Sequence, residues 1–189
     1  ATHAPLALAA LAAGHHVVCE KPLATTSEDA RTLVDAAIVG QRVGVVPFVY
    51  RYHPMVREAR ARIAAGELGS LLSIDGSYLQ DWMLEQDDAN WRAASDGGPS
   101  RAFADIGSHL CDLIEFVAGE RIERLVARTR RVYDERAGSP VGNEDIAAIV
   151  GETTSGALVS LLVSQMAPGR KNALTIELHG ATKSARFEQ

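Results

Sequence analysis

The chain has 189 residues, of which 47% are hydrophobic and 23% are charged, and its formal net charge is −5. This apolar content excludes a disordered chain, two cysteines are too few for a disulfide scaffold, and no apolar run is long enough to span a bilayer. The mildly acidic balance gives no support for nucleic-acid binding, and the low cysteine count predicts a reducing, cytoplasmic location.

Helices and strands alternate through the first third of the chain. The pattern of apolar and breaker residues predicts helices over 5–13, 26–38 and 54–66 and short strands over 16–19 and 43–49. Thr26 and Asp29 have the spacing of a capping box, and Pro54 stands at a favoured first-turn position. We expect the strand over 16–19 to be buried on both faces of a parallel sheet, and the helix over 5–13 to be buried on most of its sides.

The pattern changes after Gly69. It predicts one helix over 107–117, an irregular stretch over 81–101, and strands over 71–80, 122–131, 146–151, 158–165 and 174–179. One helix followed by successive strands is typical of an α+β domain with a large, mainly antiparallel open sheet. The sequence therefore predicts an α/β region over 1–68 and an α+β domain over 69–189.

Candidate functional residues follow both short strands of the predicted parallel sheet. Glu20, Lys21 and Pro22 come directly after the first strand, where ligands collect in open α/β sheets. A lysine there can orient a hydroxyl or share its proton, and the neighbouring glutamate can hold the ammonium. The alternative is an ordinary surface turn. Arg51 falls at the same edge and can meet a phosphate or carboxylate, although most such arginines pair with a nearby acidic side chain.

Asp105 and His109 form a second candidate pair. Residues four apart share one face of a helix, and a carboxylate beside an imidazole fixes the tautomer that a general base requires. The alternative makes Asp105 the N-cap of the helix and His109 an ordinary surface residue. Asp112 either extends this site or is solvated. Zinc sites usually add further His or Cys ligands to such a set, so we predict no metal here.

Aromatic and polar side chains gather at the end of the long strand over 71–80 and in the stretch that follows it. This mixture suits a carbohydrate, because aromatic faces cover C–H surfaces while amide, carboxylate and guanidinium groups bind hydroxyls. The residues are Tyr78, Gln80, Asp81, Trp82, Asn90, Trp91 and Arg92. The alternative is that the tryptophans only anchor a long loop.

Together these motifs resemble the glucose–fructose oxidoreductase / inositol dehydrogenase / MocA family. The resemblance follows the family's order along the whole chain and rests on Glu20-Lys21-Pro22, Tyr50-Arg51-Tyr52-x-Pro54, Gly66-Glu67-Leu68-Gly69, and Gly97-Gly98 followed by Asp105-x-Gly107-x-His109-x-x-Asp112. The stretches Tyr78–Trp82 and Gly169–Asn172 are most similar to members that act on sugars or anhydrosugars such as levoglucosan.

The resemblance implies a Rossmann domain, a substrate-binding α+β domain, NAD or NADP as cofactor, and oxidation of a secondary hydroxyl of a sugar, anhydrosugar or cyclitol. It implies that Lys21 contacts the reacting hydroxyl and the nicotinamide ribose, that His109 takes the hydroxyl proton, and that Asp105 binds the sugar. The residues it assigns to the cofactor are Glu20, Lys21, Pro22 and Arg51. Those it assigns to the substrate are Gln80, Trp82, Arg92, Asp105 and His109. We further expect a homo-oligomer formed through the open sheet, with neither nucleic acid nor membrane as a partner.

The chain departs from the family pattern at both ends. No Gly-x-Gly-x-x-Gly turn follows a strand, so the turn that binds the cofactor phosphates is not in the sequence. We expect a fragment that lacks the first part of the Rossmann domain and the last part of the substrate domain, and that is inactive on its own. The alternatives are a non-catalytic sugar- or protein-binding remnant and an oligomerisation module.

Overall fold

The computed structural model describes residues 2–88, 90–93, 98 and 100–189. They divide into two compact units, with the division between Val49 and Tyr50. The helix that begins at Pro54 therefore lies in the second unit, whereas the sequence pattern assigns it to the first region. Gly97, from one of the motifs that carry the family resemblance, lies outside the described residues.

Two helices pack against a pair of parallel strands in the first unit. Its elements are α1 (His3–Ala12), β1 (Val17–Val18), α2 (Ser27–Val39) and β2 (Gly44–Val45). Thr26 is the N-cap of α2, since its hydroxyl oxygen accepts the Asp29 N–H at 3.1 Å. The strands pair with Val17 opposite Gly44, which confirms the predicted parallel arrangement.

Burial in the first unit is one-sided, so two expectations are wrong. The strand expected to be buried on both faces leaves Val18 73% exposed, because Val17 and Cys19 alternate with it and point toward the helices. The helix expected to be buried on most sides leaves Leu6 69% exposed, because it turns only one stripe, with Ala7 and Leu11, to the core.

A mixed sheet crossed by one helix forms the centre of the second unit. Its elements are α3 (Pro54–Ala64), β3 (Leu71–Leu79), α4 (Ser108–Ala118), β4 (Ile122–Arg130), β5 (Glu135–Arg136), β6 (Ser139–Pro140), β7 (Ile146–Thr153), β8 (Leu158–Ser164), β9 (Ala173–Gly180) and β10 (Ser184–Glu188). Within the described residues, six strands form one sheet in the order β10-β9-β3-β8-β7-β4. Only β3 and β8 pair in parallel, which confirms the mainly antiparallel sheet.

The sequence pattern misses β10 and the small hairpin formed by β5 and β6. β10 alternates between inward-facing Ala185 and Phe187 and exposed polar residues, but with five residues and a single large apolar side chain this alternation is too short to be recognised. β5 and β6 contain two residues each and are too short for any periodic signal.

Helix α4 covers one face of the sheet and leaves the other open. Gly76 in β3 permits this close packing, since a Cβ there would lie 3.1 Å from side-chain atoms of Leu110 and Ile114. The open face holds a concavity of about 540 Å³, lined in part by Val126 and Val150. In the described ranges, no helix has the length and apolar character needed to cross a membrane.

Candidate active site

Asp105 and His109 lie on one continuous helical stretch. A π-helical turn, Phe103–Gly107, carries Asp105 and leads directly into α4, whose second residue is His109. The backbone is already helical at Ala102, with φ −59° and ψ −44°, so Asp105 does not cap the helix and the N-cap alternative is wrong. Single π-helical turns are frequent at functional sites.

A glutamine and an arginine approach the Asp105 carboxylate. Gln165 Nε2 donates a hydrogen bond to Oδ2 at 3.0 Å, and Arg92 Nε lies 4.0 Å from Oδ1. The Asp105 side chain is 21% exposed, which leaves it accessible to a small molecule. The Arg92 guanidinium also stacks on Trp91, at 4.5 Å from the ring centre, and Trp91 is 70% exposed rather than buried as a loop anchor. Gln165 is a site residue that sequence reasoning missed.

Hydroxyl and amide groups form a chain of hydrogen bonds beside His109. The Tyr50 and Tyr78 hydroxyls are 2.6 Å apart, and Asn172 Oδ1 accepts from the Tyr78 hydroxyl at 2.9 Å. The same oxygen accepts from Gln80 Nε2 at 2.8 Å, while Trp82 Nε1 donates to Gln80 Oε1 at 2.7 Å. Burial, and then the bond to Tyr50, raise the pKa of Tyr78, which keeps its hydroxyl protonated.

This chain reaches His109 through an aromatic contact. The Tyr50 ring meets the His109 ring edge to face, with 5.5 Å between the ring centres. The structure therefore brings the predicted residues Gln80, Trp82 and His109 into one cluster. It adds Tyr50 and Asn172. Both belong to motifs on which the family resemblance rests, but neither is predicted from the sequence as a site residue.

Asp81 holds the segment that carries Asn172. Its carboxylate accepts the Gly169 N–H at 3.1 Å and pairs with Lys171 Nζ at 2.9 Å. The hydrogen bond from Lys171 lowers the pKa of Asp81. Because Asp81 follows Gln80 and Lys171 precedes Asn172, this ion pair fixes both partners of the amide hydrogen bond.

The π-helical turn is anchored by the carboxylate of Glu144. This buried side chain accepts hydrogen bonds from the N–H groups of Arg101 at 3.2 Å and of Phe103 at 2.8 Å, and from the Ser100 hydroxyl at 2.9 Å. Backbone N–H groups at the start of a helix have no partner within the helix, and an anionic acceptor stabilises them. Glu144 therefore determines where the helical stretch with Asp105 begins.

Next to Glu144, Asp145 compensates two buried arginines. Its Oδ1 pairs with Arg101 and, at 2.9 Å, with Arg136, and its Oδ2 accepts the Val132 N–H at 2.6 Å. The side chains of Arg101 and Asp145 are both 0% exposed. Among the described residues, Arg101 Nε and Nη1 have no hydrogen-bond partner, so Asp145 supplies the main compensation for this buried charge.

Arg51, assigned by resemblance to the cofactor, forms a bidentate ion pair with Asp112. One of the two hydrogen bonds measures 2.8 Å, and the bond to Asp112 raises the pKa of Arg51. Asp112 is thus a partner of Arg51 rather than a solvated residue. The described part of the chain contains no group of three or more His, Cys, Asp or Glu side chains that could hold a metal ion.

Lys21 lies in the first unit, in the turn that follows β1. The Lys21–Pro22 peptide bond is cis, and the Lys21 N–H donates to Glu20 Oε2 at 3.3 Å. The Pro22 carbonyl oxygen lies 2.7 Å from His3 Nδ1, which ties this turn to α1. The turn therefore sits at the carboxyl edge of the parallel pair, as the sequence predicts.

Comparison with known proteins identifies two family models along the chain. The model described as the GFO/IDH/MocA C-terminal domain matches residues 56–186, and the one described as oxidoreductase family, NAD-binding Rossmann fold, matches residues 1–47. A levoglucosan dehydrogenase from Pseudarthrobacter phenanthrenivorans is 32% identical over 98% of this chain and 52% of its own length.

Two solved structures share the fold of both units. A levoglucosan dehydrogenase in complex with NADH and levoglucosan has a TM-score of 0.91 and 34% identity, and covers 98% of this chain and 51% of its own. An inositol dehydrogenase homologue from Azotobacter vinelandii, in complex with NADH and myo-inositol, has a TM-score of 0.88 and 34% identity, and covers 98% and 48%. The chain thus spans about half the length of the relatives it matches.

The buried charge cluster makes a specific prediction about stability. Asp145→Asn removes a negative charge that compensates two buried arginines, and we expect the free energy of unfolding to fall by about 3–5 kcal/mol. Glu58→Gln is the matched control, because it breaks an exposed pair with Arg62 and should cost less than about 1 kcal/mol. Denaturant unfolding measures both variants, and similar losses for the two would contradict the assigned importance of Asp145.

Proposed function

The chain belongs to the GFO/IDH/MocA oxidoreductase family. From that premise we propose that its residues function in an NAD-dependent dehydrogenase. The reaction is hydride transfer between nicotinamide and a secondary hydroxyl of a sugar, anhydrosugar or cyclitol. The relatives support this substrate class, since one is a levoglucosan dehydrogenase and solved relatives are in complex with levoglucosan or myo-inositol.

The surroundings of Asp105 and His109 are the observation that carries the proposal. An accessible carboxylate and an imidazole lie four residues apart on one helical stretch, with Arg92 and Gln165 beside the carboxylate. Gln80, Trp82 and Asn172 provide amide and indole groups in the hydrogen-bond network that reaches the imidazole through Tyr78 and Tyr50. A polyol needs both hydrogen-bonding groups for its hydroxyls and an apolar surface for its C–H faces.

In the proposed mechanism, His109 is the general base and Asp105 binds the sugar. His109 takes the proton of the reacting hydroxyl while a hydride leaves the carbon that bears it. Asp105 accepts a hydrogen bond from a second hydroxyl, and Gln165 keeps the carboxylate in place. In the first unit, the role we propose for the Lys21 ammonium is to donate a hydrogen bond to a substrate hydroxyl and to stabilise negative charge on its oxygen.

The residues of the first unit fit the nicotinamide end of the cofactor. Lys21 provides a cationic donor for ribose hydroxyls at the carboxyl edge of β1 and β2, and Glu20 and Pro22 shape its turn. We propose NAD rather than NADP, since the similar solved structures hold NADH. When bound, the oxidised nicotinamide supplies the hydride acceptor.

We also propose that the chain is inactive on its own and that its protein is cytoplasmic. The phosphate-binding glycine turn, whose backbone N–H groups would hold the cofactor pyrophosphate, is not in the sequence. The free cysteines Cys19 and Cys111 support a reducing location, and burial raises the pKa of Cys111 to about 11, which suppresses its reactivity.

A second copy of the chain is the proposed partner of the open sheet face. Its exposed apolar residues are Val126, Val150, Leu158 and Leu162. Asp75 and Glu177 lie in the same cross-strand row as Val126 and Val150, while the edge strand β4 carries Arg124 and Arg128. A two-fold axis can therefore place the basic edge of one copy over the acidic centre of the other.

The catalytic assignments predict large losses of turnover. In a version of the protein with a complete cofactor domain, Lys21→Ala and His109→Ala should each lower kcat for a polyol substrate at least about 100-fold. His179→Ala and Lys183→Ala, on the strand β9 and in the turn after it, are matched controls and should keep normal rates. Near-normal activity of either catalytic variant would refute its assignment.

The missing glycine turn predicts weak nucleotide binding by the 189-residue chain. We expect NADH fluorescence titration to show a Kd weaker than about 1 mM, since no backbone N–H cradle holds the pyrophosphate. A Kd in the micromolar range would contradict the proposal that the chain is inactive for lack of this turn.

The open face predicts a dimer that a single charge disrupts. Sedimentation velocity should show a dimer of the wild-type chain and a monomer of Val150→Asp, because an unpaired charge would be buried in the interface. Val39→Asp is the matched control, as Val39 is 84% exposed at the end of α2. A strictly monomeric wild-type chain would exclude this partner.

A further inference from the structure

The hydrogen bonds around Asn172 have a fixed direction. Its Oδ1 accepts from the Tyr78 hydroxyl at 2.9 Å and from Gln80 Nε2 at 2.8 Å. A carbonyl oxygen cannot donate, so the single proton of Tyr78 is committed to Asn172. In the 2.6 Å contact between the two tyrosines, the donor is therefore Tyr50 and the acceptor is Tyr78.

This direction determines what the cluster offers to a ligand. Both acceptor positions of Asn172 Oδ1 are used, which turns its NH₂ group away from the network with two hydrogens to donate. The Tyr50 oxygen has given its proton to Tyr78 and can only accept. Gln80 Oε1 accepts from Trp82 Nε1 at 2.7 Å, which turns the Gln80 NH₂ group toward Asn172 and leaves one of its two hydrogens for a ligand. The described residues provide no partner for the Asn172 NH₂ group.

The segment that carries the donor group is tied to the neighbouring strand end, and the donor group itself is accessible. Asp81 binds both Lys171 and the Gly169 N–H, so the segment that carries Asn172 is tied to the residue next to Gln80. Asn172 is itself exposed, whereas Tyr78 beneath it is buried. The Tyr50 ring contacts His109, which places this donor and acceptor pair beside the proposed general base.

We propose that Asn172 and Tyr50 determine substrate specificity as a matched pair, in which Asn172 donates to an oxygen of the sugar and Tyr50 accepts from one of its hydroxyl groups. Tyr78 and Gln80 are positioning residues that fix the orientation of the pair. This inference rests on the proposed function and deepens it, because it selects polyols with an acceptor oxygen opposite Asn172 and a hydroxyl hydrogen opposite Tyr50. A deoxy analogue would leave one of these groups without its partner.

Two variants test separately the Asn172 donor group and the hydroxyl that orients it. Asn172→Asp keeps an acceptor for Tyr78 and Gln80 but has no N–H to offer, while Tyr78→Phe keeps Asn172 and removes the hydroxyl that orients it. Arg170→Gln is the control for charge, since it changes the charge of the same exposed segment by the same amount. Tyr133→Phe is the control for hydroxyl loss, since the Tyr133 hydroxyl donates to the Leu84 carbonyl outside the network.

The experiment is a titration of the ¹⁵N-labelled 189-residue chain with levoglucosan, followed by NMR of side-chain amides. The Asn172 NH₂ signals should shift in the wild-type chain. We expect Asn172→Asp to weaken binding at least about tenfold and Tyr78→Phe about three- to tenfold, with both controls within about twofold of wild type. Backbone spectra establish that each variant is folded.

The outcomes distinguish this inference from the proposed function. Unchanged affinity in Asn172→Asp, or binding that leaves the Asn172 NH₂ signals in place, would overturn the role of Asn172 and leave the proposed function intact. Tenfold loss in the Arg170→Gln control would likewise overturn it, since charge alone would explain the effect. Failure of the wild-type chain to bind levoglucosan, glucose or myo-inositol would contradict the proposed substrate class itself.

Discussion

The pairing of Asp145 with Arg101 and Arg136 is the interaction on which the site geometry depends. Two guanidinium groups and the carboxylates of Glu144 and Asp145 are buried together, and their formal charges cancel. Since desolvation offsets most of the attraction between buried charges, such a cluster contributes little net stability. The cluster instead fixes where the segments that carry these residues lie, because each buried charge is compensated only when its partners are in place.

Two sets of hydrogen bonds connect this cluster to Asp105. Glu144 binds the backbone N–H groups of Arg101 and Phe103, at the start of the helical stretch that carries Asp105 and His109. The Asp145 carbonyl oxygen accepts the Gln165 N–H at 3.1 Å, and the Gln165 side chain in turn donates to Asp105. The sequence pair Glu144-Asp145, directly before β7, therefore fixes both the backbone and the carboxylate of the proposed sugar-binding residue.

The sequence predicts those features of the molecule that depend on local patterns. Strands β3, β7, β8 and β9 follow from their apolar periodicity, and the Asp105/His109 pair follows from helical spacing. The contacts that orient this pair are distant in sequence: Arg101 and Asp145 are 44 residues apart, and Gln80 and Asn172 are 92 apart. Such contacts leave no periodic signal, and neither does a π-helical turn, whose register differs from an α-helix by a single residue.

Amide hydrogen exchange of the wild-type chain tests most directly whether Glu144 and Asp145 hold the site in place. If they do, the N–H groups of Arg101, Phe103 and Asp105 open only when the second unit unfolds. Their protection should then equal that of Ile149 and Val163 at the centre of the sheet. Exchange of these three amides with a free energy of opening close to that of exposed loop residues would contradict the account.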